Sequence, residues 1–198
     1  MDWKNFLLMV VFAVALLGSP GPATISLAAS GIAYGYKRSM PFLMGIIIGF
    51  FFNMLAVALG LGYIFTHYSE VYDAFKYISF VCILYISYRV ATSGPIQLQG
   101  AKPFSYMQGI LLDVTNPKAY VASIAVLTQF AKSDVHYYRS VAIIIATNMV
   151  LASVLQFGWC YAGDRLSKLV SSPKASSRIN VVLAIVMVAS VAITMFAY

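Results

Sequence analysis

Charge is what this sequence has least of. Only 10% of its 198 residues are charged and only six are acidic, where ordinary soluble domains carry about 25% charged residues. With 61% hydrophobic residues and a mean hydropathy of +0.84, this excludes an ordinary soluble fold. The apolar excess does not fit into a core of this size, and lipid is the solvent that accommodates it. Cysteine and histidine are also scarce. Cys82 and Cys160 stand far apart inside apolar runs, without metal-ligand spacing, so they give no basis for a disulfide framework or a metal site. His67 and His136 fall in loops and suggest no metal. There is no phosphate-cradling glycine loop and no nucleophile beside a base, so neither an enzyme nor a cofactor is expected. The net charge of +7 is carried by short loops, which reads as a topology signal and not as a nucleic-acid surface.

What is present is a series of charge-free apolar runs: Phe6–Tyr34, Pro41–Phe65, Ala74–Val90, Phe104–Phe130, Ser140–Ala162 and Ile179–Ala197. A crossing helix needs about 20 apolar residues. The first run is too long for one upright helix and contains "GSPGPA", Gly18 to Ala23. In the fourth, Phe104–Leu112 and Ala119–Phe130 are each too short and must join across the polar cluster "DVTNPK". Proline removes a backbone donor and interrupts a helix, so both runs are expected to be broken helices. A cleaved signal peptide is the competing reading of the N-terminus. Against it, Met1 to Asn5 have no net positive charge and the sequence stays apolar through Ala33. Loops after the first, third and fifth spans hold Lys37, Arg38, Arg89, Lys102, Arg165, Lys168, Lys174 and Arg178. The opposite side holds Lys4, Lys76, Lys132 and Arg139. The positive-inside rule puts the richer side in the cytoplasm and both termini on the outer side of the membrane.

A repeat underlies the two breaks. Pro22 and Pro117 are 95 positions apart, as are Lys37 and Lys132, and Asn53-Met54 and Asn148-Met149. Chance identity in low-diversity apolar sequence is the alternative. If the repeat is genuine, each half has three spans, and an odd number inserts the second half upside down, the plan of many secondary transporters. The expected fold is therefore an all-α membrane protein with six transmembrane helices in two inverted three-helix repeats. It forms a single transmembrane unit over 1–198, with repeat one at about 1–93 and repeat two at about 104–198.

Each break has a residue suited to cap a helix followed by a proline suited to start one: Gly21-Pro22 and Asn116-Pro117. A half-helix starting inside the membrane leaves unpaired N–H groups and a positive dipole end there, which favour anions such as carboxylates. Thr24 and Ser26 add hydroxyls at one break, and Thr115 at the other. Lys118 directly follows Pro117, and Asp113 precedes the break. Both are costly in a membrane and are expected to face a partner or a watery cavity. Lys118 would reinforce a carboxylate site. Asp113 is the proton-coupling candidate or a clamp for an ammonium group, and an internal Asp113–Lys118 ion pair is the alternative use of both. Asn53 and Asn148 are candidates either to line the cavity or to hydrogen-bond between helices. Gln129 and Gln156 are expected at an interface or a helix contact. Gly45, Gly49, Gly60 and Gly62 are expected to serve close packing. The candidate substrate-binding set is Pro20, Gly21, Pro22, Thr24, Asn53, Asn116, Pro117, Lys118 and Asn148, with no metal ligand.

Two stretches carry a family resemblance. "SPGPATISLAASGIAYGYKRSMPFLMGIIIGFFFNMLAVALGLG" and "GILLDVTNPKAYVASIAVLTQF" resemble the two signatures of the LysE/RhtB family of bacterial amino-acid exporters, and the likeness covers essentially the whole chain. The C-terminal "GWCYAGDRLSKLVSSPKASSRINVVLAIVM", with "ATS" and "AKPFSY" earlier, is most similar to the branch exporting cysteine and O-acetylserine. The resemblance implies export of an amino acid across the inner membrane, driven by the proton gradient, with a homodimer as a possible assembly. It carries over by motif to Pro20, Gly21, Pro22, Asn116, Pro117 and Lys118. Members that export basic amino acids carry acidic residues where this chain has Asn53 and Ala122. The expected substrate is therefore small and neutral, of the cysteine, O-acetylserine, homoserine, threonine or leucine class. Asp113 stands where members more often have an uncharged residue, so its role is not inherited. The rival reading is a membrane scaffold or a thiol-based redox carrier with a related three-plus-three fold. Against the carrier, Cys82 and Cys160 are 78 positions apart, out of register with the repeat.

Overall fold

The computed structural model describes residues 2–92, 102–132, 137–169 and 173–196. In chain order the helices are α1 (Trp3–Gly18), α2 (Pro22–Tyr34), α3 (Tyr36–Ala56), α4 (Gly62–His67), α5 (Ser69–Ala91), α6 (Tyr106–Val114), α7 (Pro117–Phe130), α8 (Tyr137–Leu169) and α9 (Pro173–Phe196). A π-helical turn, Val57–Leu61, joins α3 to α4. Three continuous helical runs are long and apolar enough to cross a membrane: Tyr36–His67, Ser69–Ala91 and Tyr137–Leu169. The first and fourth sequence runs are bent pairs, α1–α2 by 57° and α6–α7 by 60°. Counting each pair as one crossing gives up to five by length and composition. The sixth expected span corresponds to α9, a continuous helix of 24 residues whose described apolar stretch is Ser177–Ile193. Polarity is arranged as lipid demands. Val11, Val81, Val150, Val154 and Ile185 point outward, while Ser26, Asn53, Asp113 and Asn148 are buried.

The helices approach most closely at the end of the bundle that carries the α2–α3 turn at Gly35. There α3 lies along α6, and α2 along α8. A Cβ placed on Gly45 would meet the Tyr106 carbonyl oxygen at 2.1 Å, and one on Gly109 would meet the Phe42 carbonyl at 2.2 Å. In the second pair, a Cβ on Gly31 would meet the Cys160 carbonyl at 2.3 Å, and one on Gly163 the Ala28 carbonyl at 2.1 Å. Backbone thus touches backbone along two seams. With no hydrophobic drive between helices in lipid, such contact is what holds them. Gly45 and Gly49 pack as the sequence suggested, Gly49 against Ile110 and Asp113. Gly60 does not. Nothing lies within 4 Å of where its Cβ would be, and its φ of +112° is why glycine stands there.

The α2–α3 turn is finished from afar. Gly35 has φ +78° and no side chain with which to cap α3. Asp164 of α8 supplies the cap, its Oδ1 accepting from Tyr36 N at 3.2 Å while Oδ2 accepts from Lys168 Nζ at 2.7 Å. Asp164→Ala should remove about 1 kcal/mol of cap energy and lower Tm by roughly 2–4 °C, measured by thermal unfolding in detergent. Asp164→Asn, which keeps an acceptor for Tyr36, should recover most of the loss. Equal Tm for wild type and the alanine variant would show that the cap contributes nothing.

Candidate substrate site between two helix breaks

The two restarts are alike in plan and different in finish. Pro22 and Pro117 each occupy the first helical position, with Gly21 and Asn116 before them as N-caps. Proline suits this place because its missing N–H would have lacked an intrahelical acceptor anyway. At α7, Asn116 finishes the end itself. Its Oδ1 accepts from Lys118 N at 3.2 Å, and its carbonyl accepts from Ala119 N at 3.0 Å. At α2 no side chain caps the helix. Thr24 Oγ1 accepts from Gly21 N at 2.9 Å and donates to Gly21 O at 3.1 Å, so it serves the cap residue. The N–H groups of Ala23 and Thr24, within the first turn, have no intrahelical acceptor. The sequence suggested two open helix ends; that of α2 has no side-chain cap, and Asn116 largely closes that of α7.

Lys118 crosses between the breaks. Its Nζ donates to Ser19 O at 2.6 Å and to Pro20 O at 3.0 Å. These carbonyls follow the C-terminal end of α1, where a cation is favoured by the helix dipole. The side chain passes so close to Gly21 that a Cβ there would stand 2.7 Å from Lys118 Cδ. Asp113 does not pair with it. Asp113 is 2% exposed, its Oδ2 has no hydrogen-bond partner, and the Asp113–Lys118 ion pair raised as the alternative is absent among the described residues.

Between these groups lies a cavity of about 40 Å³, room for roughly three waters at about 10–15 Å³ each. Leu16 and Leu17 of α1, Gly21, Ala23 and Thr24 at the first break, and Phe50 of α3 line one part. Asp113, Asn116, Lys118, Ala119 and Ala122 line another, and Ala152 and Gln156 of α8 complete it. Of the residues singled out from sequence, the fold brings Gly21, Thr24, Asp113, Asn116 and Lys118 together around this space. Pro22 and Pro117 are buried and start the helices, and Pro20 is exposed, contributing its carbonyl to Lys118. Asn53 and Asn148 are not among the lining residues. Asn53 Oδ1 accepts from Ser123 Oγ at 2.6 Å, and Asn148 Nδ2 donates to Ile144 O within its own helix at 2.9 Å. Gln156, expected at an interface or a helix contact, lines this cavity instead. It is 8% exposed and its Oε1 has no hydrogen-bond partner. A lone glutamine in an apolar run looks the same whether it meets lipid headgroups or a cavity, so only three-dimensional placement finds it. Leaving such an oxygen unpaired costs about 1–3 kcal/mol.

The chemistry around the cavity is dipolar. Amide N–H groups and an ammonium stand on one side of the inventory, and two acceptor oxygens without partners on the other. Comparison with known proteins agrees with a transport role. The LysE type translocator family model matches residues 13–197. An uncharacterized membrane protein of Vibrio cholerae is 23% identical over 187 residues, which cover 90% of this chain and 88% of the relative. A homoserine/homoserine lactone efflux protein of Salmonella typhimurium is 21% identical over 168 residues, 82% of each chain. A cysteine/O-acetylserine efflux protein of Escherichia coli is 24% identical over 176 residues, 86% of this chain and 87% of the relative. No solved structure matches the chain.

Proposed function

The chain belongs to the LysE type translocator family, and from that premise we propose that it exports a small neutral amino acid or derivative through the cavity between its breaks. Family membership makes it a membrane transporter of a small molecule and not an enzyme. One observation carries the finer reading: an uncapped helix start and a lysine share a buried cavity with an unpaired aspartate. The substrate carboxylate binds at the α2 amides and Lys118. Gly21, Pro22, Asn116 and Pro117 shape the two ends, Pro20 and Thr24 hold the first break, and Asn53 ties α3 to α7 through Ser123. Among the described residues, Asp113 is the only acidic one lining the cavity, so no second described carboxylate there serves a cationic side chain. This favours the cysteine, O-acetylserine, homoserine, threonine or leucine class, in keeping with the names of two relatives.

In this reading the chain is a single transmembrane unit of six spans, formed as two inverted repeats at about 1–93 and 104–198. Bends of 57° and 60° at prolines 95 positions apart support it. The Gly35 end faces the cytoplasm, both termini face the periplasm, and the membrane is the bacterial inner membrane. A homodimer is compatible with it. The redox-carrier alternative finds no support, since neither Cys82 nor Cys160 lines the cavity. The test is a flux screen over amino acids with purified protein in liposomes. Movement of at least one neutral amino acid is expected, and a screen in which none moves would reject export.

Proton antiport through Asp113 is part of the proposal. Among the described residues, Tyr120 of α7 is the titratable group that interacts electrostatically with Asp113, and Lys118 lines the same cavity while donating to Ser19 O and Pro20 O. One proton exchanged per substrate across one pH unit corresponds to about 1.4 kcal/mol, a tenfold accumulation. Asp113→Asn removes this cavity carboxylate and should abolish the response of flux to an imposed pH gradient while leaving counterflow exchange measurable. An unchanged pH response in that variant would leave Asp113 only a structural role.

A further inference from the structure

We propose that Gln156 of α8 receives the α-ammonium of the substrate together with Asp113, so that this transporter requires a free amino group. The inference rests on the export reading above and goes beyond it by naming the residue that selects the ammonium. Gln156 and Asp113 come from different helices, yet they line one cavity, and each has a buried oxygen with no hydrogen-bond partner. Such oxygens are normally satisfied, and two of them beside one small space call for a donor-only ligand. An ammonium group has three donors and no acceptor. The same cavity holds the uncapped α2 start and Lys118, which suit the carboxylate. Beside the uncharged polar Thr24 and Asn116, the rest of the lining, with Leu16, Leu17, Phe50, Ala122 and Ala152, is apolar and suits an uncharged side chain as the third substituent. The two acceptors divide the labour. Asp113 takes either a proton or the ammonium, the exchange an antiporter needs, whereas Gln156 does not titrate and supplies recognition in every protonation state.

The experiment is counterflow in proteoliposomes with leucine, threonine, homoserine and cysteine, each against its 2-hydroxy analogue as competitor. A site built to hydrogen-bond a group rejects the analogue lacking it strongly. The wild type should therefore prefer the amino acid by about 100-fold or more. Gln156→Met, similar in volume but without the acceptor, should narrow that preference about tenfold or more. Gln156→Glu keeps an acceptor oxygen at this position and should preserve it. Equal competition by amino acid and hydroxy acid in the wild type overturns the inference and leaves export standing. So does an unchanged preference in Gln156→Met, or a lost preference in a folded Gln156→Glu. If no amino acid moves in the wild type, the export reading itself falls and takes this inference with it.

Discussion

Lys118→Ala is expected to cut amino-acid flux at least about 100-fold while the protein still inserts and purifies as a folded species. The size follows from what Nζ holds. It donates to Ser19 O and Pro20 O, and a hydrogen bond to a charged group is worth about 1.5–3 kcal/mol. Losing both removes roughly 3–6 kcal/mol, and each 1.36 kcal/mol is tenfold. An ammonium has three donors, which leaves the third for a substrate carboxylate. The alanine variant thus loses the pole of the site and the tether between the breaks at once. Arginine is not expected to rescue it. Lys118 already runs past Gly21 with no room for a methyl group, and a planar guanidinium is a different shape. The measurement is flux in liposomes, normalised to incorporated protein, alongside thermal unfolding. A carboxylate role raises KM, whereas a purely structural one lowers Tm with KM unchanged in the surviving fraction. Normal flux through Lys118→Ala would end the idea of a carboxylate site there.

The second large effect is expected at the glycine seam of α2 and α8. Gly163→Ala would put a methyl carbon 2.1 Å from the Ala28 carbonyl oxygen, and the neighbouring atoms are also backbone. No rotamer change relieves that, so the helices must separate. Overpacking typically costs 1–3 kcal/mol and occasionally more. The separation has a built-in reporter. Cys160, one turn before Gly163, is wholly buried, and its carbonyl touches Gly31. In a Cys82→Ser background, Cys160 should resist a hydrophilic thiol reagent in otherwise wild-type protein. It should react at least about tenfold faster with Gly163→Ala, and flux should fall in parallel. Unchanged protection of Cys160 together with unchanged flux would mean that the seam tolerates the extra volume and has no part in closing that end.

The broken helices were legible because their cause is local. Pro22 and Pro117, each behind a small or capping residue, dictate where a helix stops and restarts, and the structure bends at both places. The glycine pair Gly45 and Gly49 was legible for the same reason. What escaped depends on partners distant in the chain. Lys118 stood out by its cost, but its acceptors are backbone carbonyls, which leave no trace in side-chain patterning. The same holds for Asp164, whose partner is the amide of Tyr36. Asn53 and Asn148 share an offset and a residue type, yet one bonds to another helix and the other to its own backbone. Gln156 carried no signal beyond its own polarity.

Lys118 and Asp164 also bear on how the molecule is made. A bilayer receives this chain helix by helix, and α1, α2 and α3 are inserted long before residues 118 and 164 leave the ribosome. Until then the carbonyls of Ser19 and Pro20 and the amide of Tyr36 lack the partners they have in the finished protein. The N-terminal half therefore completes these hydrogen bonds only when α7 and α8 pack against it.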